Sequence, residues 1–232
     1  MTARVVATVG VHGSASTWVF NVVRELLVEV LGEEAVSAGY AEKIGGLPAV
    51  AACMVIKSHH GSAALDEWLR EAGAVMVLSV RDPRDAAVSM VQRFGARLEQ
   101  AVGWVLNDFA RLARLADSGH LLLRYEDGFF DDFSTVLRIA GVLGLAVDEG
   151  VALRIFERYR TEEVRRFAVN LNGLGPERVV GTVSTMVDRV THIHSTQIGD
   201  GRVGKWRDLG AGAQLEMNRV FGGYLAFFGY RG

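Results

Sequence analysis

The sequence predicts an α/β fold: a single domain in which a central parallel sheet is covered by helices on both faces, entered through a P-loop-like strand-loop-helix. Three observations predict it. Short apolar runs alternate with segments of helical periodicity, and polar clusters recur where an apolar run stops. The first run, Arg4 to Val9, also leads straight into Gly10-Val11-His12-Gly13-Ser14-Ala15-Ser16-Thr17-Trp18. Strands buried on both faces read as near-continuous apolar runs, which is the signature of a parallel sheet under two helical layers.

The opening run is the first strand. The helix after it is marked by Val19, Val22, Val23, Leu26, Leu27 and Val30 at three-and-four spacing, with Ser16 or Thr17 as N-cap and Gly32 as its stop. A loop of small and hydroxyl residues here leaves backbone N–H groups unpaired at the helix's positive end, which suits a phosphate. It lacks the Gly-Lys-Ser/Thr that a nucleoside-triphosphate loop uses for the outer phosphates and magnesium. Taken alone, it is equally an ordinary strand-to-helix turn.

A Gly- and Ala-rich connection, Gly39 to Ala52, leads to a second apolar run, Cys53 to Ile56, ending in Lys57-Ser58-His59-His60. Ala63 to Ala72 reads as a helix and Ala74 to Val80 as a third strand, which stops at Arg81-Asp82-Pro83-Arg84-Asp85. Leu98, Val102, Val105, Phe109, Leu112 and Ala116 form one stripe of a longer helix. Leu121 to Arg124 is the fourth strand, followed by Tyr125-Glu126-Asp127, and Phe133, Val136, Leu137 and Ala140 mark another helix. The last helix carries Met217, Val220, Phe221, Tyr224, Leu225 and Phe228; where its aromatics are not packed on the sheet, they favour a homodimer. Between these helices the pattern weakens, and residues 157–207 read as a lid or acceptor-site segment. Its charged stretch, Arg158 to Arg166, suits either a solvated helix face or an anionic acceptor.

Composition narrows the function. With 25 Lys and Arg against 27 Asp and Glu, the net charge of -2 argues against a nucleic-acid partner, so any attraction for phosphate is local. Cys53 is the only cysteine, which excludes an internal disulfide and fits a reducing compartment. Arg4 to Val9 is too short for a leader's apolar region, and charges or glycines interrupt every apolar stretch before a membrane span of ~20 residues. A soluble cytoplasmic protein is the expectation.

Open parallel sheets bind ligands outside the carboxyl ends of their strands, where the first loop, Lys57 to His60, Arg81 to Ser89 and Tyr125 to Asp127 all meet. Arg81 and Ser89, eight apart across a strand-to-helix turn, are placed to clamp one phosphate. Lys57 and His59, two apart at a strand end, share a face of the sheet edge and offer a base beside an electrostatic clamp. His59-His60 with His192 and His194 also suggest metal ligands. Consecutive histidines on a strand point to opposite faces, however, and no carboxylate is suitably spaced, so no metal is expected.

These segments resemble the sulfotransferases that use 3′-phosphoadenosine-5′-phosphosulfate (PAPS). Gly10 to Trp18 is similar to their 5′-phosphosulfate loop, Lys57-Ser58-His59 to their Lys-Thr-His element, Arg81 to Ser89 to their 3′-phosphate motif, and Tyr125-Glu126-Asp127 to their Tyr-Glu-Asp. Gly201-Arg202-Val203-Gly204-Lys205-Trp206 resembles their C-terminal Gly-Xaa-Xaa-Gly-Xaa-Trp. The five stand in the family's order. The resemblance implies that Gly13, Ser14, Ala15, Ser16 and Thr17 form the 5′-phosphate side and that Trp18 stacks on adenine. It further implies that Arg81, Ser89 and the loop Gly201, Arg202, Val203 and Gly204 hold the 3′-phosphate, with Tyr125 near the base. His59 would deprotonate the acceptor hydroxyl of a small molecule or carbohydrate, and Lys57 would steady the sulfonate, without a metal. Adenosine 3′,5′-bisphosphate (PAP) would be the product.

Two departures stand out. Gly13 occupies the place of the family's loop Lys or Arg, and Gly199-Asp200-Gly201 that of its Arg-Lys-Gly. They motivate an alternative, a catalytically weak adenine-nucleotide-binding protein with a recognition or regulatory role. A third reading, a P-loop kinase, lacks the Gly-Lys-Ser/Thr.

Overall fold

A computed structural model describes residues 4–116, 120–181 and 185–231. Its centre is a five-stranded, wholly parallel sheet built from β1 (Arg4–Gly10), β2 (Val36–Tyr40), β3 (Cys53–Ser58), β4 (Val75–Val80) and β5 (Leu121–Arg124), in the order β2-β3-β1-β4-β5. β1 lies in the middle, with Val6 level with Val55 on one side and Val75 on the other. This register brings Gly10 beside Ser79, so the strands end together along one rim.

Helices cover both faces, each over its own apolar core. Along β1, Val5, Ala7 and Val9 point to one core and Val6 to the other, as strand alternation requires. On the first face lie α2 (Ala63–Glu71), α3 (Pro83–Phe94), α4 (Leu98–Ala116) and the last helix, α8 (Ala211–Phe227). On the other lie α1 (Ser16–Leu31), α5 (Ser134–Val142), α6 (Glu149–Arg158) and α7 (Thr161–Val169).

Several expectations are corrected. β2 falls partly inside the stretch read as a loop; as an edge strand with no fully buried residue, Val-Ser-Ala-Gly-Tyr gives no apolar run. The N-cap of α1 is Ala15, in the left-handed conformation at φ 58° and without a side-chain cap, rather than Ser16 or Thr17. Val30 is 44% exposed, because the last turn of α1 reaches beyond the core. In α4 the stripe carries Asp108 and Arg111 as fully enclosed as Phe109 and Leu112. Phe221 on α8 and Phe228 just after it are buried, the latter edge-on to Phe109 at 5.3 Å, while Phe227 is exposed. No helix among the described residues is long and apolar enough to cross a membrane.

The segment 157–207 is folded around α7 and a short antiparallel hairpin, β6 (Val179–Gly181) with β7 (Met186–Asp188). Asp188, buried, accepts hydrogen bonds from Arg178 and from the Thr191 backbone and hydroxyl, which holds the turn after the hairpin. Asn21 of α1 then donates to the Thr191 carbonyl at 2.8 Å, fastening this segment over the sheet's rim. The charges of α7 pair within their own helix, Arg165 with Glu162 and Arg166 with Glu163, as a solvated face does.

Candidate active site

A cavity of about 1060 Å³ opens at the carboxyl rim of the sheet. Its lining includes Gly13, Ala15, Ser16, Thr17, Trp18, Lys57, His59, Arg81, Ser89, Tyr125, Gly201 and Arg202. Twelve of the residues singled out from the sequence therefore face one space. Ser14, Val203 and Gly204 do not line it. The Ser14 hydroxyl turns inward to the Val11 carbonyl and the Ser79 hydroxyl, Val203 is half exposed, and the Gly204 N–H is claimed by Asp85.

The shape of the first loop follows from backbone geometry. Gly13, at φ 79°, and Ala15 reverse the chain between β1 and α1, and the N–H groups of Ala15, Ser16 and Thr17 have no backbone acceptor. The hydroxyls of Ser16 and Thr17 make no hydrogen bond among the described residues. Free donors at a helix's positive end, facing a cavity, are what a phosphate group requires. Close packing forbids a side chain behind them: a Cβ on Gly10 would lie 2.2 Å from the Ser79 hydroxyl.

Arg81, almost fully buried, lies against the same loop. Its Nη1 donates to the Gly13 carbonyl at 3.2 Å and to the Ser89 hydroxyl at 3.3 Å, and its Nη2 to the Arg202 carbonyl at 2.7 Å. Tyr125 stacks over the guanidinium at 4.0 Å and donates to the Gly201 carbonyl at 3.1 Å. Asp85, one turn into α3, accepts the N–H groups of Gly204 at 2.6 Å and Trp206 at 3.0 Å, tying the late loop to the cavity. Lys205, buried, donates to Asp200 at 2.7 Å and Gln92 at 2.9 Å, so the acid at position 200 arrives already paired. Trp18 sits at the cavity wall, its ring 5.6 Å from Phe129.

At the end of β3, Lys57 and His59 point the same way, and Lys57 Nζ is 3.1 Å from His59 Nε2. His59 Nδ1 faces the Gly10 carbonyl at 2.5 Å. A carbonyl only accepts, so Nδ1 carries the proton and Nε2 holds the lone pair. Burial, with the charges of His12 and Lys57 behind it, holds the imidazole well below its usual range and keeps it neutral. Burial, then Arg93, lowers Lys57 to about 8, which leaves it cationic at neutral pH.

Residues that sequence reasoning did not single out hold this pair in place. The His59 N–H donates to Glu42 at 3.0 Å, and its carbonyl accepts from Arg111 Nη1 at 3.0 Å. Arg111 also donates to Ser58 at 2.7 Å and to Asp66 at 2.8 Å. The His12 ring stacks on that of His59, with centroids 4.1 Å apart. Asp108, buried on α4, accepts from the His12 backbone and ring at 2.8 and 2.7 Å and lies 2.8 Å from His60 Nδ1. Burial pushes the Asp108 carboxyl up, but the bonds from the two histidines outweigh it and hold it below the usual carboxylate range. The ligand atoms of His12, His60 and Asp108 lie within 4.8 Å of one another, in reach of a single cation. His12 and His60 stand in segments already read from the sequence; for Asp108 and Arg111 the detectable signal was charge inside a buried stripe, beside Phe109 and Leu112.

The profile described as "Sulfotransferase domain" matches residues 9–216. The chain belongs to this sulfotransferase family. No curated protein sequence matches it. Solved structures that share the fold include retinol dehydratase in complex with androsterone and the inactive cofactor PAP. That one has a TM-score of 0.65 and 17% identity and covers 97% of this chain and 82% of that one. A second, retinol dehydratase with retinol and PAP, has a TM-score of 0.61 and 15% identity over the same shares. Mouse sulfotransferase SULT7A1 complexed with PAP has a TM-score of 0.67 and 15% identity, covering 97% of this chain and 85% of that one. At these identities the likeness concerns the fold, and the site of this sulfotransferase rests on its own residues.

Proposed function

We propose that this sulfotransferase moves the sulfuryl group of PAPS to a hydroxyl of a small-molecule or carbohydrate acceptor, with His59 as general base. One observation carries the reading: the Lys57–His59 pair faces the same cavity as the free donors of Ala15 to Thr17 and the Arg81 fork. Two anion sites and a neutral imidazole in one space fit a nucleotide bearing two phosphate groups and a reactive end. The PAP-bound relatives support the choice of nucleotide, and their androsterone and retinol support a small-molecule alcohol.

The donor supplies an activated sulfur; the rest falls to the protein. The amides and hydroxyls of the cradle hold the 5′ side, while Arg81 and Ser89 hold the 3′-phosphate, with Tyr125 orienting Arg81. Lys57 swings its ammonium from His59 to the anionic sulfonate, which uncovers the Nε2 lone pair. His59 takes the acceptor's proton as the acceptor oxygen bonds to sulfur, and the bond from sulfur to the phosphate oxygen breaks to release PAP. Because His12 is committed to Asp108 through backbone and ring, Lys57 is the cation beside the base that compensates for Gly13. The lone, buried Cys53 suits a reducing compartment, and we place the enzyme in the cytoplasm on that ground.

Incubation with PAPS and an acceptor panel should yield PAP. His59→Ala should abolish turnover and leave the calorimetric affinity for PAP within about twofold, because the ring meets the acceptor and not the nucleotide. Unchanged turnover in that variant removes His59 from the mechanism. Gly13 favours the alternative of a binding protein with little activity, and tight PAP binding without turnover across the panel would select it.

A further inference from the structure

The cavity contains a cation with no counter-charge. Arg93 follows Ser89 by one turn of α3 and lines the cavity on the same helix face. Its Nε donates to the Thr196 carbonyl at 3.1 Å, and its Nη2 lies 3.3 and 3.4 Å from the two ring nitrogens of His194. Among the described residues no carboxylate lies within ion-pair distance of it. Of the other cations in the lining, Arg81 lies 4.0 Å from Asp85, Lys205 pairs with Asp200, Arg202 with Asp208 and Arg165 with Glu162; Lys57 also has no carboxylate within ion-pair distance among the described residues, and its ammonium is turned to His59.

Arg93 also stands on the base's side of the cavity. Its partners, His194 and Thr196, follow His192; the Tyr40 ring is 6.3 Å from His192 and 6.0 Å from His59. The charge of Arg93 acts on Lys57, the partner of His59, and the segment that holds Arg93 meets Tyr40 beside His59, whereas the nucleotide's grips are the cradle and the Arg81 fork. Burial and the like charge of Arg81 lower Arg93 to about 10, so it remains charged at neutral pH. Burial and Arg93 drive His194 to about 3, so that ring is neutral and brings no competing charge. An uncharged alcohol would leave the guanidinium desolvated and unpaired, an expensive arrangement that a bidentate anion relieves.

We propose that Arg93 is the anion-binding residue of the acceptor site, and that the natural acceptor is a hydroxyl compound carrying its own carboxylate or phosphate. This rests on the sulfuryl-transfer reading, and its test separates the two. Wild type and Arg93→Met, each loaded with PAP, are titrated calorimetrically with matched probes: hydroxybenzoates and hydroxymethylbenzoates against their methyl esters, and hexose 6-phosphates against the hexoses. Turnover with PAPS is followed on the same pairs.

The charged member of at least one pair should bind wild type about tenfold or more tightly than its neutral partner, since a site built for a polar group rejects the analogue lacking it. In Arg93→Met that preference should collapse, with the neutral member and PAP itself unchanged within about twofold. The carboxylate and phosphate arms identify the anion. The inference is overturned if wild type prefers no charged probe or binds none. It fails equally if the substitution weakens both members of a pair alike, as a merely structural tie to Thr196 would. A substitution that weakens PAP about tenfold would assign Arg93 to the nucleotide instead. Wild type that does not bind PAP refutes the sulfuryl-transfer reading itself.

Discussion

A single methyl group on Gly61 should disable the site from outside it. A Cβ built there lies 2.3 Å from both Cζ and Nη2 of Arg111 and 2.7 Å from Nη1, against an ordinary contact of at least 3.4 Å. The guanidinium must therefore retreat by about 1 Å, which carries its 3.0 Å bond to the His59 carbonyl out of hydrogen-bond range. Arg111 is 2% exposed and pinned by Asp66 and Ser58, so it cannot swing into water without stripping a partner from the buried Asp66 carboxylate and the buried Ser58 hydroxyl. Hydrogen bonds to a charged group contribute about 1.5–3 kcal/mol each, so losing those to Ser58 and His59 should cost about 3 kcal/mol or more in urea denaturation. If the His59 backbone, released from that bond, drifts by about 1 Å, kcat should fall about a hundredfold while the affinity for PAP holds. In an Arg111→Met background the same substitution should cost under about 0.5 kcal/mol, because the clash has gone. Gly61→Ala protein with normal stability and turnover would show that Arg111 does not position the base.

Two further outcomes follow from the site's charges. In the proposed reaction His59 acts when neutral and Lys57 when cationic, so kcat/KM should fall as pH drops through a value below 6.5 and fall again as it rises through about 8. Lys57→Arg should move the alkaline limb above pH ~10, and a profile flat to pH ~9.5 in the parent would remove Lys57 from that limb. Asp85→Asn keeps one acceptor for two buried N–H groups; it should cost about 1.5–3 kcal/mol of stability and weaken PAP binding measured by calorimetry. Unaltered PAP affinity would mean that the loop docks without help from Asp85.

The three central strands, buried on both faces, and the edge strand β5, with its run of leucines, stood out in the sequence as apolar runs, and the polar residues at their ends marked the cleft. β2 did not stand out, because an edge strand needs no continuous apolar face and Gly39 gives it the composition of a connection. The site was legible where chemistry follows a strand end directly, at Lys57, His59, Arg81 and the first loop. Glu42, Asp108 and Arg111 reach it by tertiary packing from positions with no motif, Lys205 fills an unspecified position of the C-terminal motif, and Arg93 matters only because the chain folds His194 and Thr196 onto it. The charged stretch Arg158 to Arg166 drew attention through composition, yet Arg165 and Arg166 are satisfied by neighbours on α7 and Arg158 by Glu25 of α1.

The floor and the far wall of the cleft differ in what secures them. The floor is parallel sheet, sandwiched in hydrocarbon. Between Ile193 and Trp206 the wall contributes only Ile198 to either core, and it is stitched down by Arg93, Arg81 and Asp85. Peeling such a flap away exposes little oil to water, so it parts at a free energy well short of that which melts the sheet. A guest that entered by this side would have to part polar stitches and little hydrocarbon, leaving the sheet beneath it undisturbed.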